Sequence, residues 1–460
     1  MIIFSSILLI LVAAEKSAFV ASGNERNYTI LRITPLNIEQ IQFLSALYLN
    51  DDKMADFWKP PTRINETIHI MINPGFMKKF DQLLNEKSIS YHIEINDFAQ
   101  YLKNKKEMKE QRNLLFDNNR ERRFWDDNNR NSNIFLGKYN SYDSIVRWLK
   151  NLEQRYDNIV TVKSIGKTAE ERIIYGVKLG TKNVTSKPVI WLDAGIHARE
   201  WVAIHTALYL IQQLIIDYNS NSKIGEYLRL LDIYIYPCLN PDGYEYTQTK
   251  PNDPSVRLWR KSRGSTTNYE WENGEKRYCK GVDLNRNFAF HFGEIGSSSS
   301  PCSNIYRGKY AFSEPETQAV RDALLPLREQ IKAYITLHTY SQLWIYPYSH
   351  AANTYSSDID ELKAVAKEGV NSLMKLYGTE YQYGTGPEVI YAFSGGSSDW
   401  AKQSANVKYS YTIELRPSKS SNAGFILDKR ELIPIGRETY EGIKVVIDKV
   451  IMEYKQSRNL

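Results

Sequence analysis

The pattern that most constrains this chain is the alternation of apolar, β-rich runs with amphipathic helical stretches from Tyr139 onward. Helical spacing is clearest at Tyr142–Arg155 and Trp201–Tyr218. Strands separated by helices of this length predict an α/β fold, with a mixed, mostly parallel sheet covered by helices on both faces. In such folds, active sites lie at the carboxyl ends of strands. The strand-like runs are Ile159–Ile165, Ile173–Leu179, Val189–Leu192, Leu231–Tyr236, Ile331–Leu337 and Tyr409–Glu414.

Residues 28–95 form a smaller unit with an element order of its own. Short β-like and helical stretches alternate there, and one further strand completes a β-α-β-β-α-β order. This order predicts a small α+β sandwich ahead of the larger unit. The predicted strands are Tyr28–Ile33, Met54–Trp58, Thr67–Ile72 and Tyr91–Ile95, and the predicted helices are Asn37–Leu49 and Gly75–Leu84.

A polar, charge-dense segment, residues 103–133, separates the two units. Its second half has too little apolar surface to pack, so we expect an exposed linker. Arg122 and Arg123 offer cleavage sites to a trypsin-like protease within it. A solvated linker without a processing role is the alternative, but the position between two folded units favours proteolytic activation near Arg122 and Arg123.

The first residues have the character of a secretory leader. Ile2–Ala14 is an apolar run too short to span a bilayer, and small residues follow it where a peptidase can cut. The run has no Lys or Arg ahead of it, which is a departure from typical leaders. A buried N-terminal strand or helix is the alternative. We predict a signal peptide at residues 1–22 and a secreted, extracellular protein.

Composition narrows the class of protein further. Of the 460 residues, 42% are hydrophobic and 24% are charged, which is typical of globular proteins and excludes a disordered or fibrous chain. The formal net charge of +6 is small for this length, and no face rich in Lys and Arg stands out. We therefore expect no nucleic-acid partner and no membrane partner. Nothing in the sequence indicates an oligomer, so a monomer is expected.

Three cysteines fit an oxidising compartment. Cys279 and Cys302 flank a Gly/Ser-rich stretch, and a disulfide between them would contribute roughly 3 kcal/mol on the chain-entropy model. Sequence alone does not fix this pairing. Cys238, in an apolar run, is expected to be a buried free thiol. The chain also has three sequons, which are candidate glycosylation sites but arise by chance as well, at Asn27, Asn65 and Asn183.

A histidine and a carboxylate three residues apart, His197 and Glu200, follow one predicted strand, and His338 follows another. Two imidazoles and a carboxylate form a mixed nitrogen and oxygen ligand set that suits Zn²⁺. Three protein ligands leave a fourth position for water, as in catalytic zinc sites. A His-x-x-Glu pair alone is a weak signal, and its position at a strand end is what supports it. The other histidines are expected to be structural: His69, His92, His205, His291 and His350.

Five motifs stand in order along the chain: Gly195–Trp201, Asp283–Asn287, Leu337–Gln342, Ile390–Tyr391 with Ser394–Trp400, and Glu414–Arg416. From about residue 28 to its end, the chain resembles pancreatic-type procarboxypeptidases A and B, a family of secreted zinc metallocarboxypeptidases. The resemblance implies an activation prodomain and linker at 23–123 and a catalytic domain at 124–460. It also implies one Zn²⁺ per chain, peptide or protein C-termini as substrates, and an activating trypsin-like protease.

The resemblance assigns roles to individual residues of these motifs. His197, Glu200 and His338 would be the zinc ligands, and Asp283 would orient a ligand histidine. Glu414 would act as the general base, although a carboxylate in an apolar strand is more often a member of a buried ion pair. Arg260 would face the oxyanion of the transition state.

An exopeptidase must also bind a free C-terminus. By resemblance, Asn285 and Arg286 would hold the terminal carboxylate, because a guanidinium can donate two parallel hydrogen bonds to it. A structural salt bridge is the alternative for Arg286. Tyr391 would close over the substrate, in a loop whose glycines permit movement. Arg199, Tyr340 and Phe425 would line or cover the neighbouring subsites.

The preference for the terminal side chain is less defined. Ser398 corresponds to the floor of the specificity pocket, where A-type relatives have an apolar residue and B-type relatives an aspartate. Ser349 and Gly386 make the wall small and somewhat polar, and Glu388 could reach a basic side chain. We predict an A-like preference for aromatic and aliphatic C-terminal residues. A B-type preference for Lys or Arg is one alternative, and a catalytically inactive peptide-binding relative is another. The prodomain would exclude substrate until cleaved, or act only as a folding aid.

Overall fold

The computed structural model describes residues 27–50, 53–105, 136–182, 186–264, 267–272, 274–422 and 424–459. The predicted signal peptide, the cleavage sites Arg122 and Arg123, and the sequon at Asn183 lie outside the described residues. The chain divides into two compact units, and the division falls between residues 105 and 136.

The first unit has the predicted β-α-β-β-α-β order. Its strands form one antiparallel sheet, and apolar side chains of the sheet and both helices, among them Leu31, Ile70 and Phe80, form a common core. The small α+β sandwich is therefore confirmed. The elements are β1 (Thr29–Ile33), α1 (Ile38–Asn50), β2 (Ala55–Phe57), β3 (Ile68–Ile72), α2 (Met77–Glu86) and β4 (Tyr91–Ile95). In sheet order the strands are β2-β3-β1-β4.

The second unit is built on a large twisted sheet with a separate two-stranded ribbon. The strands of the sheet are β5 (Val160–Lys167), β6 (Ile173–Leu179), β7 (Val189–Ala194), β8 (Asp232–Tyr236), β11 (Ile331–Ser341), β12 (Leu343–Ile345), β13 (Gln382–Gly384) and β14 (Tyr409–Ser418). The ribbon consists of β9 (Tyr269–Glu272) and β10 (Glu275–Tyr278).

The helices of the second unit stand between groups of strands along the chain. The first of them begins where the Ser141 side chain accepts a hydrogen bond from Ser144 N, and its bounds are those predicted. The helices are α3 (Tyr142–Arg155), α4 (Trp201–Ser220), α5 (Ser222–Leu230), α6 (Pro241–Thr249), α7 (Pro254–Arg257), α8 (Pro315–Leu324), α9 (Ile359–Tyr377), α10 (Gly386–Val389), α11 (Ser397–Gln403) and α12 (Leu432–Arg458).

The large sheet has the order β13-β12-β14-β11-β7-β8-β6-β5. Its centre, from β14 to β8, is parallel, and β12 and β13 also run parallel. The pairs β12–β14, β6–β8 and β5–β6 are antiparallel. The mixed, mostly parallel sheet predicted from the sequence is confirmed, and the carboxyl ends of β7, β11 and β14 lie side by side.

Helices cover both faces of this sheet, as predicted. Successive strand residues point to opposite faces. On β7, Ile190 and Leu192 belong to one apolar cluster, whereas Val189 and Trp191 belong to the other. The first cluster includes residues of α3, α4, α5, α9 and α12, and the second includes residues of α8 and α11.

Two central strands are longer than the sequence predicted. β11 continues past Leu337 to Ser341, and β14 continues past Glu414 to Ser418. The apolar runs end early because polar side chains follow, yet the backbone ladder between the two strands continues through Thr339 and Leu415. His338 and Glu414 therefore lie inside strands and face each other in register, and only His197 follows its strand.

The cysteines are arranged as predicted. Cys279 and Cys302 form a disulfide with a Cα–Cα distance of 5.0 Å, and Cys238 is a buried free thiol. The sequon residue Asn65 is exposed and Asn27 is partly exposed, so both are accessible in the structure. No helix among the described residues is both long and apolar enough to cross a membrane.

His205, predicted to be structural, is buried in α4 and ties the start of the second unit to its core. Its Nε2 accepts a hydrogen bond from the backbone N–H of Asn140, and its Nδ1 lies 2.8 Å from the carbonyl oxygen of Trp201. These contacts fit a neutral ring with the proton on Nδ1. Burial lowers the pKa of His205 to about 4.

This lowered pKa predicts that the second unit loses stability in acid. Above pH ~6.5 the imidazole of His205 is neutral in both the folded and the unfolded protein. Between pH ~6.5 and ~4 only the unfolded chain binds a proton there, which favours unfolding. We expect the free energy of unfolding lost by His205→Gln to be larger at pH 7.5 than at pH 4.5, by up to about 3 kcal/mol. Urea unfolding at both pH values measures this, and an equal loss at both would contradict it.

Candidate metal centre and substrate cleft

The predicted ligands meet at the carboxyl ends of two neighbouring parallel strands. His197 and Glu200 lie in the turn between β7 and α4, and His338 lies on β11. Gly195 makes the turn possible, because its φ of 64° favours glycine and a Cβ there would lie 2.7 Å from Ile204. All three ligand side chains are buried.

The three side chains converge on one point. Nδ1 of His197 lies 2.8 Å from Oε1 of Glu200 and 3.2 Å from Nδ1 of His338, and Nδ1 of His338 lies 3.1 Å from Oε2 of Glu200. Burial, followed by the charge of Arg260, lowers the pKa of His197 and so favours the neutral ring that binds metals.

This donor set fits Zn²⁺. Tetrahedral Zn–N bonds of about 2.0–2.1 Å place two ligand nitrogens about 3.3 Å apart, close to the 3.2 Å between the imidazoles. Two unprotonated nitrogens at this distance repel each other unless a cation lies between them. Among the histidine, cysteine and carboxylate side chains of the described residues, one group could hold a metal ion. It consists of His197, Glu200 and His338.

A buried carboxylate, Asp283, connects the metal centre with Arg260 and Asn285, two residues predicted to contact substrate. Its Oδ1 lies 3.1 Å from Nε2 of His197 and accepts a hydrogen bond from Asn285 N at 3.0 Å. Its Oδ2 accepts from Nε and Nη2 of Arg260, at 3.0 and 2.9 Å. Burial opposes ionisation, but the charges of Arg260 and Arg286 hold the pKa of Asp283 well below its usual range.

Glu414 and Arg260 both lie close to the ligands. Glu414 is opposite His338 in the β11–β14 register, and Arg260 Nη1 is 3.8 Å from Glu200 Oε1. Desolvation raises the pKa of Glu414 to about 8 despite the nearby charge of His338. A bound cation would lower this value again, because it favours the ionised carboxylate.

Arg286 is buried without a carboxylate partner. Nε donates to Gly296 O, Nη1 donates to Asn285 O, and Nη2 donates to the hydroxyl of Tyr391 at 3.3 Å. No acidic side chain of the described residues forms an ion pair with it. A guanidinium has five N–H groups, so two remain, one on each terminal nitrogen. Among the described residues Arg286 therefore forms no salt bridge, contrary to the alternative interpretation of this residue.

The loop that carries Tyr391 is held more firmly than predicted at its glycines. Gly395 donates to Phe290 O and accepts from Phe288 N, and its φ is 71°. A Cβ on Gly395 would lie 2.3 Å from the carbonyl oxygen of Arg286. This glycine is therefore required for a close backbone approach, and it fixes the loop against the backbone of Arg286.

The three residues predicted to line neighbouring subsites form one cluster. The Arg199 guanidinium lies 4.2 Å from the centre of the Phe425 ring, and the Tyr340 ring meets Phe425 edge-on at 5.1 Å. Arg257, which sequence analysis missed, donates to the carbonyl oxygens of Arg199 and Phe425. Its position just ahead of Arg260 was the available signal, but nothing in the sequence indicated its partners.

The predicted pocket residues are also gathered together. The Ser398 hydroxyl accepts from Thr412, and a Cβ on Gly386 would lie 2.8 Å from Ser349. Asp399 accepts from Ser349 N, as a structural carboxylate would. Both carboxylate oxygens of Glu388 are engaged, one by Tyr355 and one by the backbone of Thr385 in a capping box.

The remaining predicted structural histidines of this unit lie beside the pocket. His291 and His350 stack in parallel with ring centres 3.8 Å apart, and each also faces a carboxylate, Glu294 and Asp399 respectively. Asp399 comes from a distant segment of the chain, whereas Glu294 is three residues after His291, so only the His350 contact depended on the fold.

The fold and the site together define a metallohydrolase with a His-Glu-His zinc centre at the carboxyl edge of a mixed sheet. Comparisons with known proteins agree. The family model described as "Zinc carboxypeptidase" matches residues 145–442, and the model described as "Carboxypeptidase activation peptide" matches residues 31–105. The chain belongs to the zinc carboxypeptidase family and is a metallo-exopeptidase preceded by an activation peptide.

Similar proteins include both specificity types. The chain is 42% identical to carboxypeptidase B of Astacus astacus, covering 68% of this chain and 97% of that protein. It is 35% identical to carboxypeptidase A2 of Mus musculus, covering 92% and 93%. The crystal structure of carboxypeptidase A from Helicoverpa armigera superposes with a TM-score of 0.76, at 28% identity, covering 93% and 98%. The comparisons therefore establish the family of this chain, and its relatives include enzymes named for both the A-type and the B-type preference.

The contacts of Asp283 predict a specific defect when its charge is removed. Asp283→Asn keeps the size of the side chain but weakens its hold on His197 and Arg260, so we expect ~10–100-fold weaker zinc affinity. Zinc affinity is measured by competition with a chelator. The matched control is Asp242→Asn, a buried carboxylate that binds Thr168 and Arg172 instead. Equal zinc affinity in both variants would contradict this role.

Proposed function

We propose that this protein is secreted as a monomeric zymogen and, after cleavage near Arg122 and Arg123, releases aromatic or aliphatic residues from peptide C-termini. The observation that carries the proposal is a buried His-Glu-His cluster joined through Asp283 and the backbone of Asn285 to a buried guanidinium, Arg286, that forms no direct ion pair with a carboxylate of the described residues. A metal centre beside an unpaired guanidinium suits hydrolysis next to a free carboxylate.

His197, Glu200 and His338 would hold the zinc ion. When bound there, Zn²⁺ supplies Lewis-acid chemistry: it lowers the pKa of water and polarises a carbonyl. With both Nδ1 atoms as ligands, the ring protons would lie on the outer nitrogens, which face Asp283 for His197 and Thr336 for His338. This arrangement leaves both Nδ1 atoms free to act as ligands.

Glu414 would act as the general base. It would take a proton from the attacking water and later deliver it to the amine that leaves. Desolvation strengthens Glu414 as a base, and a bound cation would lower its pKa enough for the carboxylate to be ionised and accept the proton. Arg260 would donate to the oxyanion of the tetrahedral intermediate, while Asp283 keeps its guanidinium in place.

Substrate recognition would depend on the two N–H groups of Arg286 that have no acceptor among the described residues. A C-terminal carboxylate can accept both in a bidentate pair, and the side chain of Asn285 would add a further contact. The Tyr391 hydroxyl already lies on Arg286, so its phenol would cover the bound carboxylate. Arg199, Tyr340 and Phe425 would contact residues upstream of the cleaved bond.

A neutral pocket supports the preference for aromatic and aliphatic side chains. Ser398 carries no charge, Asp399 is held by Ser349 N, and the oxygens of Glu388 are occupied by Tyr355 and Thr385. The B-type alternative is favoured by the small wall at Ser349 and Gly386 and by the similarity to a carboxypeptidase B.

Hydrolysis of hippuryl-Phe and hippuryl-Arg by the trypsin-treated protein separates the two preferences. We expect higher kcat/KM for hippuryl-Phe, and loss of both activities with 1,10-phenanthroline. In Ser398→Asp the order should reverse, because a buried aspartate would pair with arginine; Ser398→Ala is the neutral control. Faster cleavage of hippuryl-Arg by the unmodified protein would overturn the A-like proposal.

Cleavage near Arg122 and Arg123 should convert an inactive chain into an active one. We expect the intact protein to hydrolyse hippuryl-Phe at least ~10-fold more slowly than the trypsin-treated protein, because an activation segment excludes substrate. Arg122→Gln/Arg123→Gln should resist both cleavage at this position and activation. Full activity of the uncut protein would favour the folding-aid alternative.

A further inference from the structure

The interior of the sheet behind His338 contains polar side chains where apolar ones are expected. Strands of a parallel sheet covered on both faces usually consist of continuous hydrophobic residues. Tyr334 and Thr336 on β11 and Asp193 on β7 are nevertheless fully buried. Thr336 and Asp193 are direct partners in the β7–β11 register. Burying a carboxylate in this position costs free energy unless hydrogen bonds or an opposite charge offset it, so its presence here points to a role.

The first part of such a role is visible at His338. Its Nδ1 faces the other ligands, so its proton must be on Nε2 when the ring binds a metal. Nε2 lies 3.3 Å from the hydroxyl oxygen of Thr336. Tyr334, Thr336 and His338 alternate along β11 and share one face, so this contact points back into the sheet.

The second part involves Asp193. A threonine hydroxyl that accepts a hydrogen bond from His338 Nε2 can still donate its own hydrogen in a second hydrogen bond. Asp193 Oδ2 already accepts from Nε1 of Trp191, at 2.8 Å. Its Oδ1 has no hydrogen-bond partner among the described residues, so it remains as an acceptor beside Thr336. Burial raises the pKa of Asp193, and the hydroxyls of Thr336 and Tyr334 oppose this rise, which is consistent with their closeness.

We propose that Asp193 is a positioning residue that acts through the hydroxyl of Thr336 to fix the ring and tautomer of the metal ligand His338. His338 Nε2 would donate to Thr336 Oγ1, which lies 3.3 Å away, and the Thr336 hydroxyl would turn its own hydrogen toward Asp193 Oδ1 on the neighbouring strand. The inference rests on the proposed role of His338 as a zinc ligand.

This arrangement completes a symmetry between the two histidines. Asp283 contacts the outer nitrogen of His197 directly, because His197 lies in a turn that another segment can reach. His338 lies inside a strand, so its outer nitrogen faces neighbouring strands, and the carboxylate of β7 reaches it only through Thr336. Partners of this kind raise the basicity of the ligand and hold its ring in place.

The test is the zinc affinity of the full-length chain, measured by chelator competition in the absence of substrate. We expect Thr336→Val and Asp193→Asn each to weaken zinc binding ~10-fold or more, and the double variant to be no weaker than the single ones. Thr336→Ser keeps the hydroxyl and should bind zinc like the unmodified protein. Thr412→Val is the matched control, because Thr412 lies opposite Thr336 on β14 and contacts Ser398 rather than His338.

A second readout separates positioning from a general loss of packing. In the cobalt-substituted protein, Thr336→Val should shift the visible absorption bands, whereas Thr412→Val and Thr336→Ser should not. The proposal is overturned if Thr336→Val and Asp193→Asn bind zinc as tightly as Thr412→Val, or if Thr336→Ser is as weak as Thr336→Val. Failure of the unmodified protein to bind zinc would instead contradict the proposed function.

Discussion

The buried carboxylate of Asp283 is the interaction on which the rest of the site depends. Burial alone would favour its neutral form, and the charges of Arg260 and Arg286 keep it ionised. The carboxylate then holds the outer nitrogen of His197, the guanidinium of Arg260 and the backbone of Asn285. Because one group fixes all three, the metal centre and the residues proposed to bind the oxyanion and the substrate carboxylate keep a common geometry.

The sheet supplies the rigidity that this geometry requires. Three parallel strands bring their carboxyl ends together, and His338 and Glu414 lie within strands rather than on loops. Sites built on strands keep their side chains in place more accurately than sites built on loops. The same design requires polar groups inside the sheet, such as Asp193 and Thr336, whose burial must be offset by hydrogen bonds.

Much of the fold followed from periodicity, and much of the site from local motifs. The alternation of strands and helices predicted the mixed sheet, and the His-x-x-Glu pair predicted the metal centre with His338. The lengths of β11 and β14 were underestimated because apolar runs end where functional residues begin. Contacts across strands, such as that of Asp193 with Thr336, depend on register, which a single sequence does not reveal. The close approach at Gly395 likewise becomes apparent only in three dimensions.

We propose that the metal centre and Arg286 together recognise a free C-terminal carboxylate. The most direct test compares release of phenylalanine from hippuryl-Phe with release of its amide from hippuryl-Phe-amide, by the same zinc-loaded, trypsin-treated protein. We expect kcat/KM for hippuryl-Phe to be about 100-fold higher, or more, than kcat/KM for hippuryl-Phe-amide. Only a carboxylate can accept both N–H groups of Arg286 as a charged pair. Equal cleavage of the two compounds would contradict it.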